Sequence, residues 1–199
     1  MATVVVPFRD SDPKQRLGLP DDARRTLAEA MLADVVAAAS AVGSVLVVAA
    51  ERPSSSIPDE VTFVADPGGG QGAAVLAGLG AAGARGLPAP YLVVNADLPC
   101  ATARDLLALA GAVPVDGLAI ARAADGTTNA LALADAVLFE PAYGPRSAER
   151  YAALGPTRLV DAPNLVDDVD TLDDLRRVCD RVGSNTSRAL DSLDLPRAA

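Results

Sequence analysis

A carboxylate at the end of an apolar run is the first feature of this chain whose placement invites chemistry. Asp97 closes "YLVVNAD", and it comes too early to cap the next helix, whose start is marked by Thr102 with Asp105 three residues on. Burying an acid without compensation is costly, so Asp97 is the stronger candidate for a ligand-binding role. Two more acids, Asp168 and Asp170, stand in "DDVDTLDDL". Carboxylates delivered by two separate strand ends can share one Mg2+ ion, which takes hard oxygen ligands and bridges them to phosphate oxygens. For Asp168 and Asp170 a second explanation competes, since acids beside Thr171 favour a helix start on dipole grounds alone.

Two further segments could meet an anion. The loop "PFRDSDPKQRLGLPDD" carries Arg9, Lys14 and Arg16 between a buried strand and a helix, where cations and backbone N–H groups can hold a phosphate-bearing ligand. It is neither a Walker A loop nor GxGxxG, and a solvated charged loop explains it equally well. In "ADPGGGQGAAVLAGL", Gly68, Gly69, Gly70 and Gly72 precede a helix. Glycines admit positive φ and close backbone approach, so a nucleotide could lie across this turn; a flexible connection is the alternative.

Composition narrows the chemistry. The 199 residues contain no histidine, which removes Ser-His-Asp and Cys-His nucleophile systems and His-based zinc sites. Reactions must run on carboxylates, arginine, the lone lysine Lys14 and metal ions. A net charge of −9 with three Phe, three Tyr and no Trp argues against a nucleic-acid groove. Cys100 and Cys179 are far apart and form neither a disulfide framework nor a CxxC clip. No apolar stretch approaches the ~20 residues that span a bilayer, so a cytoplasmic protein with no membrane partner is expected.

The elements that must position these residues follow a βαβ rhythm. Short Val-rich runs at 3–7, 44–50, 61–65, 91–95, 117–122 and 129–134 read as strands buried on both faces. Helical patterns lie between them at 22–42, where Leu27, Met31 and Val35 recur at four-residue spacing, and at 73–85, 103–111 and 146–154. "TLDDLRRVCDRVG" has a Thr cap, Asp174 three residues on and a closing Gly, and is read as the last helix. The expected organisation is one α/β domain over residues 1–183, followed by a flexible tail over 184–199. In open α/β sheets ligands gather at the carboxyl ends of strands, which is where Asp97 stands.

Taken in order, "P" then "KQRL", "DPGGG", "ADLP", "GTTNAL", "YGPRSAERY" and "DVDTLDDL" resemble the guanylyltransferases of deazaflavin coenzyme F-420 biosynthesis, which act on 2-phospholactate or phosphoenolpyruvate. The resemblance runs over about residues 3–180. It implies a three-layer Rossmann-like nucleotidyltransferase fold with a central mostly parallel mixed sheet, similar to the molybdenum-cofactor nucleotidyltransferases. It further implies that Asp97 and Asp168, with Asp170 beside them, hold Mg2+, and that Lys14 and Arg16 face the triphosphate of GTP. Arg9 and the Gly68–Gly70 turn fall on the nucleotide side. Thr128, Gly144 and Ser147 would bind the three-carbon phospho-acid. Two positions depart from the family pattern: "PFR" stands where relatives usually read "PVK", and "GQGAAV" where they read "GLNAAL", which puts Gly72 at the Asn. A transferase for another acceptor, such as molybdopterin or a sugar phosphate, and a non-catalytic nucleotide-binding protein are the alternatives. A homodimer is one assembly the reading allows.

Overall fold

A computed structural model describes residues 1–9, 15–53 and 57–195. Seven strands form one sheet: β1 Ala2–Pro7, β2 Gly43–Ala49, β3 Thr62–Ala65, β4 Tyr91–Val94, β5 Leu118–Arg122, β6 Thr128–Leu133 and β7 Thr157–Leu159. Six helices accompany them: α1 Asp21–Ser40, α2 Gln71–Ala84, α3 Ala103–Gly111, α4 Ser147–Ala152, α5 Leu172–Val178 and α6 Ser184–Ser192. The strand order is β3-β2-β1-β4-β6-β5-β7, and only β6 runs against the others, pairing antiparallel with both β4 and β5. The expected mostly parallel mixed sheet is the one found.

Strand alternation divides the core into layers. Val4, Val6, Val45, Val47, Leu92 and Val94 face α1 and α3, while Val5, Val48 and Val93 face α2. On β5 and β6 the two faces differ in size. Ala119, Ala121, Ala130 and Ala132 lie on the α3 side, leaving room for that helix and for Ala162 and Leu165. Leu118, Ile120, Leu131 and Leu133 fill the other side against Phe139 and Tyr151. Both faces of the central strands are therefore buried, as the continuous apolar runs implied, whereas the edge strand β3, also read as buried on both faces, is only half-buried, with Ala65 exposed.

Helix α1 is buried along two lines. Ala28, Leu32, Val35, Val36 and Ala39 face the sheet, whereas Leu27 and Met31 belong to a separate cluster with Cys100, Val169, Leu175, Val178 and Leu190. That second cluster corrects the reading of the C-terminus. Residues 184–192 are not a loose tail but α6, with Ala189 and Leu190 buried against α1. The helix capped by Thr171 ends at Val178, so it is not the last, and Gly183 starts α6 instead of closing α5. A carboxylate from elsewhere holds the new helix. Asp34 of α1, 6% exposed, accepts from the backbone N–H groups of Asn185 and Thr186, both at 2.9 Å, and from Asn185 Nδ2 at 3.0 Å. Gly183 must lack a side chain, because a Cβ there would lie 2.3 Å from the Asp34 carboxyl carbon. No helix among the described residues is long and apolar enough to cross a membrane.

Candidate active site

Asp97 lies three residues beyond β4, where the ladder is extended by one bond from Asn95 N–H to the Asn129 carbonyl (3.0 Å). Its own carbonyl accepts the N–H of Val169 at 3.0 Å, and this contact brings the second acidic segment alongside. Asp168 and Asp170 flank Val169, which is fully buried and anchors this segment in the core. One carboxylate oxygen from each of Asp97, Asp168 and Asp170 lies within 4.8 Å of the other two. Asp167, the remaining acid of the run, is drawn away by Arg181 (2.6 Å) and Arg177 (3.5 Å).

The cluster is electrostatically unfavourable as it stands. Burial raises the Asp168 carboxyl above its ordinary range, and the Asp97 charge raises it further; a hydrogen bond from Asn129 Nδ2 to Asp168 Oδ1 (3.3 Å) opposes the shift. Oδ1 of Asp97 is itself buried. Three hard oxygens converging from two chain segments, in mutual repulsion, suit a divalent cation. Arg16 stands at the rim, exposed, with Nη1 3.4 Å from Asp170 Oδ2. The backbone N–H of Asp170 donates to Asp174 Oδ2 (3.2 Å), beside the Thr171–Asp174 capping box, so the segment also leads into the start of α5.

The Gly-rich turn opens α2. Gly68, Gly69 and Gly70 have φ of 77°, 88° and 90°, in the region that favours glycine, and Gly68 N–H donates to Asp66 Oδ1 at 2.8 Å. No side chain caps this helix. Gly72 is explained by packing: a Cβ there would lie 2.4 Å from Pro141 Cβ. Thr128 at the start of β6 and Ser147 at the start of α4 are both buried, and Ser147 Oγ lies 3.1 Å from Thr128 Oγ1. Gly144, with φ of 106°, precedes Ser147 in a loop held by Arg150, whose guanidinium donates to the carbonyls of Ala142 (3.0 Å), Tyr143 (2.8 Å) and Pro145.

Of the residues singled out from sequence, the acids converge, Arg16 joins them, and Thr128 and Ser147 touch. Arg9 is exposed just past β1. Lys14 lies outside the described residues. Sequence reading passed over three amides. Gln71 Nε2 donates to Asn95 Oδ1 (2.7 Å), Asn95 Nδ2 donates to the Thr128 carbonyl (3.3 Å), and Asn129 Nδ2 reaches the carbonyls of Leu165 (3.0 Å) and Val166 (3.1 Å) as well as Asp168. The available signal was an Asn bordering each of two otherwise apolar strands, "VVN" and "NALAL".

Fold and site together define a nucleotidyltransferase, and residues 13–162 match the family model described as the MobA-like NTP transferase domain. The same fold occurs in the crystal structure of 2-C-methyl-D-erythritol 4-phosphate cytidylyltransferase from Thermus thermophilus (TM-score 0.58, 17% identity, covering 94% of this chain and 98% of that one). A nucleotidyl transferase from Methanothermobacter has it as well (TM-score 0.58, 18% identity, 96% and 99% covered). Sequence relatives are more specific. The chain is 32% identical to a phosphoenolpyruvate guanylyltransferase of Nocardia farcinica (89% of this chain, 84% of the relative) and 34% identical to one of Roseiflexus (97% and 91%). It is 35% identical to a 2-phospho-L-lactate guanylyltransferase of Natrialba magadii (88% and 82%). The chain belongs to this guanylyltransferase family within the MobA-like nucleotidyltransferases. The domain match ends before Asp168, so two of the three clustered acids come from beyond it.

Proposed function

We propose that the protein transfers GMP from GTP to phosphoenolpyruvate or 2-phospho-L-lactate, releasing pyrophosphate, as a step of coenzyme F-420 biosynthesis. The convergence of Asp97, Asp168 and Asp170 beside the uncapped start of α2 carries this reading. A phosphate oxygen of the acceptor forms a bond to the α-phosphorus of GTP, and the bond from that phosphorus to the bridging oxygen of the β-phosphate breaks. The second ionisation of a phosphate monoester lies near pH ~6, so the attacking group needs no general base and the absence of histidine is no handicap. The obstacle is repulsion between two anions.

Asp97, Asp168 and Asp170 would hold Mg2+, which when bound neutralises phosphate charge and orients the oxygens. Arg16 and Lys14 add positive charge on the nucleotide side. The N–H groups of Gly69, Gly70 and the first turn of α2 would receive phosphate oxygens, with Arg9, in the loop after β1, adding positive charge. Ser147 donates to Thr128 Oγ1, which leaves the Thr128 O–H to donate to the three-carbon acid, and Gly144 permits close backbone approach. Support for guanine and for a three-carbon acceptor comes from the names of the relatives. The test is pyrophosphate release from GTP and Mg2+ with phosphoenolpyruvate, 2-phospho-L-lactate or 3-phosphoglycerate supplied singly. Release with one of the first two, abolished by EDTA, is expected. Release only with a sugar phosphate or molybdopterin would reassign the acceptor, and GTP binding without any release would make the protein a non-catalytic binder.

A further inference from the structure

A path of hydrogen bonds, continued through the Thr128 residue itself, joins separate elements of the site. It starts at Gln71, the first residue of α2, passes through the Asn95 side chain to the Thr128 carbonyl, and ends at the contact of Thr128 Oγ1 with Ser147 Oγ. Donor and acceptor types leave no freedom in this path. A carbonyl can only accept, so Asn95 must turn Nδ2 to Thr128, its Oδ1 must face Gln71, and Gln71 must present an N–H. The backbone N–H of Asn95 is committed to Asn129, whose side chain holds Asp168. Asn95 therefore sits where the Gly-rich turn, the Asp97 strand end and the Thr128–Ser147 pair meet.

We infer that Gln71 and Asn95 are positioning residues that fix the distance between the nucleotide side and the acceptor side of this active site. The inference rests on the guanylyltransferase reading. In-line attack needs the reacting atoms about 3–3.5 Å apart, and a 1 Å misplacement costs on the order of a hundredfold in rate. The turn that receives the nucleotide and the strand that presents the acceptor pocket are separate elements, joined directly at this point by the Gln71–Asn95–Thr128 bridge. Its loss leaves each subsite intact and lets their separation drift, so binding survives and turnover falls.

The experiment measures pyrophosphate release for wild type, Gln71→Ala, Gln71→Glu, Asn95→Ala and the Gln71→Ala/Asn95→Ala double variant, alongside their melting temperatures. Each single change is expected to lower kcat roughly tenfold with KM for GTP and for the phospho-acid within about threefold of wild type. The double variant should be no slower than the worse single, because both break one bridge. Gln71→Glu cannot donate to Asn95 Oδ1 and should match Gln71→Ala. A purely structural role would lower the melting temperature and leave kcat of the folded enzyme intact. Wild-type kcat in Gln71→Glu, or losses that multiply in the double variant, overturns the inference; if Asn95→Ala does not fold, Gln71→Glu decides alone. A wild type that releases no pyrophosphate with any phospho-acid overturns the functional reading and this inference with it.

Discussion

Two helices in this protein begin on glycine without a cap of their own, and they differ in what meets them. At α6 the orphan N–H groups of Asn185 and Thr186 are taken by the buried carboxylate of Asp34, delivered from α1. At α2 no side chain among the described residues plays that part, and the turn leading in, Gly68 to Gly70, keeps positive φ throughout. Both termini carry the partial positive charge of a helix start. The chain shows at α6 that an anion is what such a start takes. At α2 the proposed function assigns that place to a phosphate of the nucleotide.

Breaking the acid cluster on the α2 side should have the largest effect. Asp97→Asn is expected to lower pyrophosphate release at least about a hundredfold, since under the proposed function it removes a metal ligand, and changes to the groups that merely orient such ligands already cost ~10–100-fold; circular dichroism should be unchanged. Breaking the filled terminus should affect stability instead. Asp34→Ala deletes a buried acceptor of three hydrogen bonds and is expected to cost about 2–4 kcal/mol in urea unfolding, with Asp34→Asn milder. Gly70→Ala sharpens the contrast, because φ of 90° with ψ of −176° is accessible to glycine and strained for alanine by about 1–3 kcal/mol. Its kinetic signature should be a raised KM for GTP with the acceptor KM unchanged.

The smallest effect has the opposite sign. The Asp168 carboxyl is raised in the fold, chiefly by burial and then by Asp97. A raised carboxyl contributes stability while protonated and loses it as pH climbs through its folded value, so ionised Asp168 opposes folding of the metal-free protein at neutral pH. Asp168→Asn should therefore raise the melting temperature in EDTA at neutral pH, with the gain fading in acid, while activity is lost. An unchanged or lower melting temperature at neutral pH would contradict the repulsion described for the cluster.

The same contrast explains what could be read from sequence. The capping boxes of α3 and α5, Thr102 with Asp105 and Thr171 with Asp174, are local and were legible. Helix α6 was missed because its cap, Asp34, lies 151 residues from Asn185, and a polar segment without its own cap looks like a tail. Within the site, Asp97 announced itself by ending an apolar run, and Asp168 and Asp170 by their i, i+2 spacing. The amides of Gln71, Asn95 and Asn129 gave little sign, since their partners are backbone carbonyls and side chains on other strands. Gly72 had no local reason either; its reason is Pro141, at the far end of another loop.

The most direct test of the acid cluster is a titration of Mn2+, as a paramagnetic substitute for Mg2+, followed by electron paramagnetic resonance in the presence of GTP. Wild type should bind the ion, and both Asp97→Ala and Asp168→Ala should lose that binding while remaining folded. Equal Mn2+ affinity in wild type and both variants would mean that these carboxylates do not share a cation.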